Sequence, residues 1–287
     1  MTNQTETIIL MDLIAGENSV PDRLAPRLVE RARLNKVRLE ALRRLGINDE
    51  LRQSDESRLA AFRRTTVEVV SGLKNLDYAL IKFFKPVAYV PSDLDLLVSR
   101  GDEYKVRRTL KQAGFEYVVS EPNCVTMRRD IQIDVYTNPD FMNVPYLVGD
   151  DLLKYSEAAY IGDVETRALA QDVEAVLLAA HSVYKEQLIT LNDYFTLRKF
   201  LRPSSLGIGE ALKVDKAIHY CLSVLKRIED GSTEAPFKIP FPVYARIFLQ
   251  KLGDDSKARR EVKNLVRKLG EGRLASLAVS RLLRESY

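Results

Sequence analysis

The stretch Tyr78–Val98 reads YALIKFFKPVAYVPSDLDLLV, and its last six residues contain two aspartates among apolar residues. Its last residues, Asp93–Val98, predict a buried β-strand, because the apolar run is short and follows a proline and a serine. Side chains alternate between the two faces of a strand, so Asp93 and Asp95 should point the same way. Two such carboxylates on a mostly apolar strand repel each other unless a cation lies between them.

A second acidic strand is predicted at Ile131–Tyr136, which reads IQIDVY. Its aspartate, Asp134, lies between two β-branched residues in an alternating pattern that is typical of a strand. Three aspartates on adjacent strands form an oxygen-rich site of the kind that Mg²⁺ prefers when it binds together with substrate phosphates. The sequence therefore predicts a magnesium site formed by Asp93, Asp95 and Asp134. The alternative is that the D-x-D pair merely begins a strand as turn residues.

The acidic strands and their neighbours resemble the nucleotidyltransferase fold of the DNA polymerase beta-like superfamily, over roughly residues 58–200. The best-matched parts are Ser92-Asp93-Leu94-Asp95 and Ile133-Asp134-Val135. The resemblance implies that Asp93 and Asp95 hold metal ions and that Asp134 completes the site, acting on the attacking hydroxyl in some members. It also implies two Mg²⁺ ions and a nucleoside triphosphate as substrate, with ATP as one candidate, and it places Ser92 beside the nucleotide.

The segment before the D-x-D strand departs from the family pattern. Members of the family usually carry a Gly-Ser or Gly-Gly pair there, whose backbone amides hold the phosphates. Here the segment Ile81–Pro86 contains two lysines and no glycine. We expect Lys82 or Lys85 to contact the phosphates instead, as a point charge. The alternative is a degenerate site that has lost its hold on phosphate.

Three further basic residues are candidates for nucleotide contacts. Arg129 lies in a predicted hairpin, a few residues before the third aspartate, where it either meets a triphosphate or remains an exposed hairpin arginine. His181 and Lys185 are one turn apart on a helix predicted over residues 171–186, so their side chains are neighbours. The resemblance suggests that they contact the base or the phosphates. The alternative for His181 is a buried histidine satisfied by Asp193.

Apolar periodicity predicts an α+β fold, with a small mixed sheet flanked by N-terminal helices and followed by a helical C-terminal part. The expected domains are a basic helical segment (1–57), a nucleotidyltransferase domain (58–170) and a helical domain (171–287). Helices outside the sheet region are predicted over residues 25–45, 56–73, 171–186, 188–201, 209–229, 242–252, 256–269 and 273–285.

Positive charge is concentrated at the two ends of the chain, although the net charge of the 287 residues is only +4. Arg23–Arg44 holds eight basic and two acidic residues, and Lys251–Tyr287 holds ten basic and five acidic residues. Such asymmetry favours a partner with a phosphate backbone. We therefore expect RNA as partner, with a tRNA 3′ end as one candidate. The alternative is a pair of solvated amphipathic helices.

Cysteine usage and hydropathy limit the class of protein. Cys124 and Cys221 are far apart and lie in no metal-binding pattern, which disfavours a disulfide scaffold or a zinc site and favours a reducing compartment. The first apolar run follows no basic region, so a secretory signal is not expected. No apolar segment approaches the length of a membrane span. We expect a cytoplasmic protein without a membrane partner.

These features favour an Mg²⁺-dependent enzyme that transfers a nucleoside monophosphate from a nucleoside triphosphate to a hydroxyl and releases pyrophosphate. RNA is the favoured acceptor, and a protein or small-molecule hydroxyl remains open. The second hypothesis is a nucleotidyltransferase-like module without turnover that serves as a platform for RNA or for a partner, or as a toxin-type component. A purely structural protein would leave the three aspartates without a reason.

Overall fold

A computed structural model of the protein describes residues 5–17 and 22–268, and it has the predicted α+β fold. The N-terminal part contains α1 (Glu6–Ala15), a 3₁₀ turn (Asp22–Leu24), α2 (Ala25–Leu34), α3 (Arg38–Arg44) and α4 (Glu50–Gly72). Local capping explains two of these starts. Thr5 accepts a hydrogen bond from the backbone of Ile8 at α1, and Asp49 accepts one from the backbone of Arg52 at α4.

The central part forms the sheet. In chain order its elements are β1 (Tyr78–Ile81), β2 (Asp93–Val98), α5 (Glu103–Gln112), β3 (Glu116–Ser120), β4 (Cys124–Arg128), β5 (Gln132–Tyr136), β6 (Asp140–Phe141), β7 (Val144–Pro145), α6 (Gly149–Leu153), β8 (Ser156–Ile161) and β9 (Val164–Leu169). Seven strands form one mixed sheet in the order β3-β4-β5-β2-β1-β9-β8. The sheet is larger than expected, because residues 156–169 form a hairpin that adds β9 and β8 beside β1.

Pairing of β2 with its neighbours decides where the acidic side chains lie. Strand β2 runs antiparallel to β1 and parallel to β5. In the parallel pair, Asp95 is the register partner of Asp134. Because partners in register point to the same face of a sheet, these two carboxylates share a face, and Asp93 joins them from two positions earlier on β2.

The C-terminal part is mainly helical. It contains α7 (Gln171–Ala180), a π-helical turn (His181–Glu186), β10 (Leu188–Ile189), α8 (Leu191–Phe200), α9 (Pro203–Ala211), α10 (Asp215–Glu229), β11 (Phe237–Lys238), α11 (Phe241–Asp254) and α12 (Ser256–Lys268). Strands β10 and β11 pair with each other. Helix α8 begins with a capping box, in which Thr190 and Asp193 each accept from the other's backbone N–H.

Two apolar clusters fill the space on either side of the sheet. One joins α4 and α5 to alternate strand residues, among them Leu94 and Leu96 of β2. The other joins the remaining face, which includes Leu97 and Tyr136, to the N-terminal helices α1 to α3 and to the C-terminal helices. The aspartates have the same strand parity as Leu97 and Tyr136, so they face the second cluster and lie where sheet and C-terminal helices meet.

Several predicted helices are broken in the structure. The helix predicted over residues 25–45 is two helices, interrupted at Asn35–Val37, where Lys36 has a left-handed φ of 57°. Residues 171–186 change from α- to π-helix at His181, and residues 188–201 begin with strand pairing rather than helix. The helix predicted over residues 209–229 is divided between α9 and α10. The one predicted over residues 273–285 lies outside the described residues.

The two predicted domain boundaries can be compared with the positions of the helices. Helix α4 runs without interruption through residues 57 and 58, and α7 begins at residue 171. The second apolar cluster contains residues from α1 to α3 and from α7 to α11 together. The three-domain division itself stays a prediction.

Within the described ranges, no helix has both the length and the apolar character that crossing a bilayer requires.

Candidate metal centre

Asp93, Asp95 and Asp134 come together at the junction of sheet and helices. Each offers one carboxylate oxygen, and these three oxygens all lie within 4.8 Å of one another. The spacing follows from two features already described, the D-x-D alternation on β2 and the parallel register of β2 with β5. The sequence thus named the three residues, and strand pairing brings them together.

Asp95 is the most buried member of the cluster, with 6% of its surface exposed. Its Oδ2 lies 2.9 Å from the ammonium of Lys82. Its Oδ1 is buried and has no hydrogen-bond partner among the described residues. Buried polar atoms are almost always hydrogen-bonded, so an orphaned carboxylate oxygen beside two other carboxylates has the chemistry of a ligand for a cation. The donor set therefore fits a hard divalent ion such as Mg²⁺.

The third carboxylate is oriented by its neighbours. Asp134 Oδ1 accepts from Thr126 Oγ1 at 2.8 Å and from Gln132 Nε2 at 3.3 Å. The hydroxyl of Tyr136 is 3.4 Å from Oδ2, and Lys185 Nζ in turn donates to that hydroxyl at 2.8 Å. Hydrogen bonds to the outer side of a metal-binding carboxylate fix its orientation. Asp134 is therefore held in place by its strand neighbours and by a lysine of the π-helical turn.

The three carboxylates of the cluster carry more negative charge than the neighbouring ammonium of Lys82 can balance. Burial raises the pKa of Asp95 to about 7, with Lys82 opposing this and the charges of Asp93 and Asp134 adding to it. Burial acts to lower the pKa of Lys82, but the carboxylates of Asp95 and Asp93 raise it above its ordinary value. One ammonium among three carboxylates leaves an excess of negative charge, which a divalent cation would neutralise.

The cluster forms part of the wall of a cavity of about 260 Å³. Of the residues predicted for the site from sequence, eight line this cavity: Asp93, Asp95, Asp134, Lys82, Lys85, Ser92, His181 and Lys185. Both lysines of the segment that replaces the glycine pair line the cavity, and a phosphate contact by either one stays a prediction. Ser92 Oγ donates to Asp93 Oδ1 at 3.0 Å, so it supports a carboxylate of the cluster.

Four lysines line the cavity in all, since Lys36 joins the three predicted ones. Burial lowers the pKa of Lys36 to about 8 and lowers the pKa of Lys85 below its ordinary value. Ammonium groups that have lost much of their solvation gain strongly from a bound anion. The cavity thus presents carboxylates for a cation and lysines for an anion within one enclosed space.

Sequence reasoning missed Lys36 and Tyr136. Lys36 was assigned to the middle of a long helix, but the break at Asn35 brings it to the cavity. Tyr136 lies below two lysines, with Lys82 Nζ 5.6 Å and Lys185 Nζ 4.9 Å from its ring centroid. Its position could have been found from the strand itself, because Tyr136 is two residues from Asp134 and therefore shares its face.

Arg129 is not brought to the cavity. Its guanidinium forms a two-pronged pair with Glu68, with nitrogen-to-oxygen distances of 2.6 and 2.7 Å, and it contacts Asp130 at 2.7 Å. It also lies over the ring of Phe115, 4.7 Å from the centroid. Of the two interpretations given for Arg129, the structure agrees with a hairpin arginine that ties β4 and β5 to α4.

His181 lines the cavity but is buried and hydrogen-bonded within the protein. Its Nδ1 is 3.0 Å from the hydroxyl of Tyr146, and its Nε2 is 3.3 Å from a carboxylate oxygen of Glu186. Burial, helped by the charge of Lys82, lowers the pKa of His181 well below its ordinary value. A neutral imidazole in these contacts orients the π-helical turn and so the neighbouring Lys185. Asp193 is engaged by Thr190 at the start of α8.

A second, aromatic cavity of about 320 Å³ adjoins the first. The two share Phe62, Phe83, Lys85, Tyr89 and Pro91. The rings of Phe62 and Phe83 are stacked, with centroids 6.3 Å apart. A compartment lined by aromatic rings next to a charged one suits a ligand that has both an aromatic ring and several negative charges.

Mg²⁺ affinity is expected to depend on pH below neutrality. A metal ion at this cluster would require Asp95 to be ionised, and burial raises the pKa of this carboxyl to about 7. Below that pH a proton competes for the carboxylate, so the dissociation constant should rise by roughly tenfold for each further pH unit. Above it the affinity should become nearly constant. Calorimetric Mg²⁺ titrations on either side of neutrality measure this, and equal affinities at about pH 6 and about pH 8 would contradict it.

The chain was also compared with known proteins. No model of a known protein family matches it, and a search of curated proteins found no significant match.

Proposed function

We propose that the protein is an Mg²⁺-dependent nucleotidyltransferase, which moves a nucleoside monophosphate from a nucleoside triphosphate to a hydroxyl of an RNA acceptor. The observation that carries the proposal is a single cavity lined by three clustered aspartates and four lysines. Phosphoryl transfer depends on positioning and charge neutralisation more than on covalent chemistry by the protein. The combination of oxygen ligands for a metal with ammonium groups for phosphates meets that need.

Asp93, Asp95 and Asp134 would hold the metal. Two Mg²⁺ ions bound by these carboxylates would supply charge neutralisation at the triphosphate and stabilise both the attacking and the leaving oxygen. The orphaned Oδ1 of Asp95 supports this use, since no residue of the described chain satisfies it. The match to the D-x-D motif and its third aspartate supports it independently from sequence.

The lysines would bind the triphosphate. Lys82 follows β1 directly and adopts a left-handed φ of 56°. That turn brings its ammonium to Asp95, at the edge where metal-bound phosphates would lie. Lys85 and Lys36 add positive charge from the loop after β1 and from the break between α2 and α3. Point charges from lysine replace the backbone amides of the glycine pair that this chain lacks.

The transfer step needs one proton acceptor. The acceptor hydroxyl oxygen forms a bond to the α-phosphorus while the bond from that phosphorus to the bridging oxygen breaks, and pyrophosphate leaves with the bonding electrons. The hydroxyl proton passes to the carboxylate of Asp134, which Thr126, Gln132 and Tyr136 hold in place. We assign the nucleobase to the aromatic cavity, because it opens from the same space and has stacked rings.

Incubation of the purified protein with each radiolabelled nucleoside triphosphate, Mg²⁺ and total RNA tests this function. We expect label in the RNA fraction for at least one nucleotide, and its loss when Mg²⁺ is chelated. Parallel incubations with cell protein and with a small-molecule fraction test the other acceptor classes. Absence of label from every fraction, with folded protein, would contradict the proposal.

We propose a cytoplasmic location, in keeping with the free thiols of Cys124 and Cys221.

A non-catalytic module is the second candidate, and one observation favours it. The ammonium of Lys82 lies 2.9 Å from Asp95, where a fixed lysine can take the place of a metal ion. In that case nucleoside triphosphates should either fail to stabilise the protein or do so equally with and without Mg²⁺. The enzyme, in contrast, should show a rise in melting temperature with nucleoside triphosphate that requires Mg²⁺. Thermal unfolding in the four combinations separates the two functions.

A further inference from the structure

A third cavity, of about 310 Å³, adjoins the cavity of the aspartates, and we call it the basic cleft. It shares Lys36, Tyr89 and Ser92 with the cavity that contains the aspartates. Because Ser92 donates to Asp93, the basic cleft begins one residue from a proposed metal ligand. Tyr89 lines all three cavities and so separates the basic cleft from the aromatic one.

The walls of the basic cleft carry four cations and one anion, namely Arg33, Lys36, Arg38, Arg58 and Asp55. Asp55 is 2% exposed. It receives Arg38 Nη2 at 2.7 Å and Arg38 Nε at 2.9 Å, and Arg58 Nη1 lies 3.7 Å away. One buried carboxylate therefore orients two arginines without neutralising the cleft. The pair with Asp55 uses two of the five N–H donors of Arg38, which leaves donors for a further anion.

The rest of the basic N-terminal segment is balanced by acidic partners elsewhere. Ion pairs of Arg23–Arg44 join Arg27 and Arg31 to Glu6, Arg33 to Glu30, Arg38 to Asp55, Arg43 to Glu56, and Arg44 to Glu40. Within the cleft, Arg38 and Arg58 share the single carboxylate of Asp55, so these two arginines keep a net positive charge beside the metal centre. This arrangement offers a local site for one or two phosphates rather than a broad electrostatic surface.

We propose that the basic cleft binds a backbone phosphate of a single-stranded polynucleotide acceptor, next to the terminal hydroxyl that reacts at Asp134. The proposal rests on the proposed function, because it assigns the acceptor of that reaction. The donor triphosphate has Lys82, Lys85 and Lys185 in the cavity of the aspartates, and Lys36 lines both that cavity and the basic cleft. The basic cleft lies beyond Ser92 and is therefore placed for the second substrate. Arginines held by a buried acid recognise phosphate through oriented N–H donors.

Binding of a short 5′-fluorescein-labelled oligoribonucleotide with a free 3′ hydroxyl, measured by fluorescence anisotropy, tests the proposal. Arg58→Gln is the main variant, since Arg58 lies on α4 with 60% of its side chain exposed and its replacement should not affect folding. The matched control is Arg108→Gln, an exposed arginine of α5 that lines none of the three cavities. We expect Arg58→Gln to weaken binding by roughly fivefold to tenfold and to reduce the salt-dependence slope by about 0.7, with the control unchanged.

Three outcomes overturn the assignment. Equal affinities of wild type and Arg58→Gln would remove the basic cleft from acceptor binding. Loss of the Mg²⁺-dependent stabilisation by nucleoside triphosphate in Arg58→Gln would assign the cleft to the donor instead. Displacement of the oligonucleotide by a nucleoside 5′-monophosphate at similar concentration would point to a small phosphorylated acceptor. Failure of the protein to transfer label would defeat the proposed reaction, whereas these binding measurements do not depend on turnover.

Discussion

Asp95→Asn is expected to reduce nucleotide transfer by about a thousandfold or more. The substitution removes one anionic ligand from the centre of the three-aspartate cluster while it keeps the shape of the side chain. Metal-bound charge neutralisation contributes several kcal/mol to the transition state, and about 4 kcal/mol corresponds to about a thousandfold in rate. Single-turnover transfer of labelled nucleotide to RNA, compared between wild type and variant, measures the loss.

The same substitution should leave the fold nearly unchanged. Burial raises the pKa of Asp95 to about 7, so at neutral pH the metal-free protein gains little from its ionised form, and Lys82 retains the attraction of the Asp93 carboxylate. The variant should therefore melt close to the metal-free wild type and should no longer be stabilised by Mg²⁺. Asp163→Asn, in the exposed turn between β8 and β9, is the matched control and should behave as wild type in both assays. Transfer at the wild-type rate by Asp95→Asn would show that the cluster is not the catalytic centre.

Asn35→Ala is expected to lower the free energy of unfolding by about 3 to 5 kcal/mol. Asn35 is fully buried, at the break between α2 and α3. Its Nδ2 donates to the carbonyls of Arg31 at 3.0 Å and Ala235 at 2.9 Å, and its Oδ1 accepts from the backbone of Leu191 at 3.0 Å. The substitution leaves the buried Leu191 N–H without its hydrogen-bond partner, which costs about 1 to 3 kcal/mol, and it removes two further hydrogen bonds worth about 0.5 to 1.5 kcal/mol each. Urea denaturation of wild type and variant measures the difference.

The variant also tests whether the core controls the site. Because Asn35 fixes the chain just before Lys36, its loss should weaken stabilisation by Mg²⁺ and nucleoside triphosphate as well. Asn75→Ala, in the exposed turn between α4 and β1, is the matched control and should change the free energy of unfolding by less than about 0.5 kcal/mol. If Asn35→Ala also changed the free energy of unfolding by less than about 0.5 kcal/mol, the role assigned to this side chain would be wrong.

The composition of the metal cluster could be predicted because it depends on local rules. Period-two alternation places Asp93 and Asp95 on one face, whatever the rest of the fold. The pattern around Asp134 indicates a strand with the same character. What sequence did not provide was the register, in which Asp95 lies opposite Asp134. The resemblance to a known fold supplied the expectation that the strands are neighbours, and the structure has them paired in parallel.

The missed features depend on contacts between residues far apart in the chain. Apolar periodicity continues through Asn35, and hydrogen bonds with the distant backbone of Ala235 and Leu191 help to stabilise the break. Arg129 was a candidate because it is close in sequence to Asp134, but its partner Glu68 is 61 residues earlier. Local propensity gives no information about such partners, so tertiary contacts override it. Strand alternation placed Asp93 and Asp95 on one face, as the structure has them, whereas proximity in sequence did not bring Arg129 to the cavity.

Anomalous diffraction from crystals grown with Mn²⁺ and a non-hydrolysable nucleoside triphosphate can show whether the three aspartates share a divalent cation. We expect an anomalous peak between Asp93, Asp95 and Asp134, within about 2.0 to 2.3 Å of their nearest oxygens. A shared cation also requires that no such peak appears in Asp95→Asn crystals. Clear density for Lys82 on Asp95, with nucleotide bound elsewhere and no anomalous peak among the carboxylates, would contradict it.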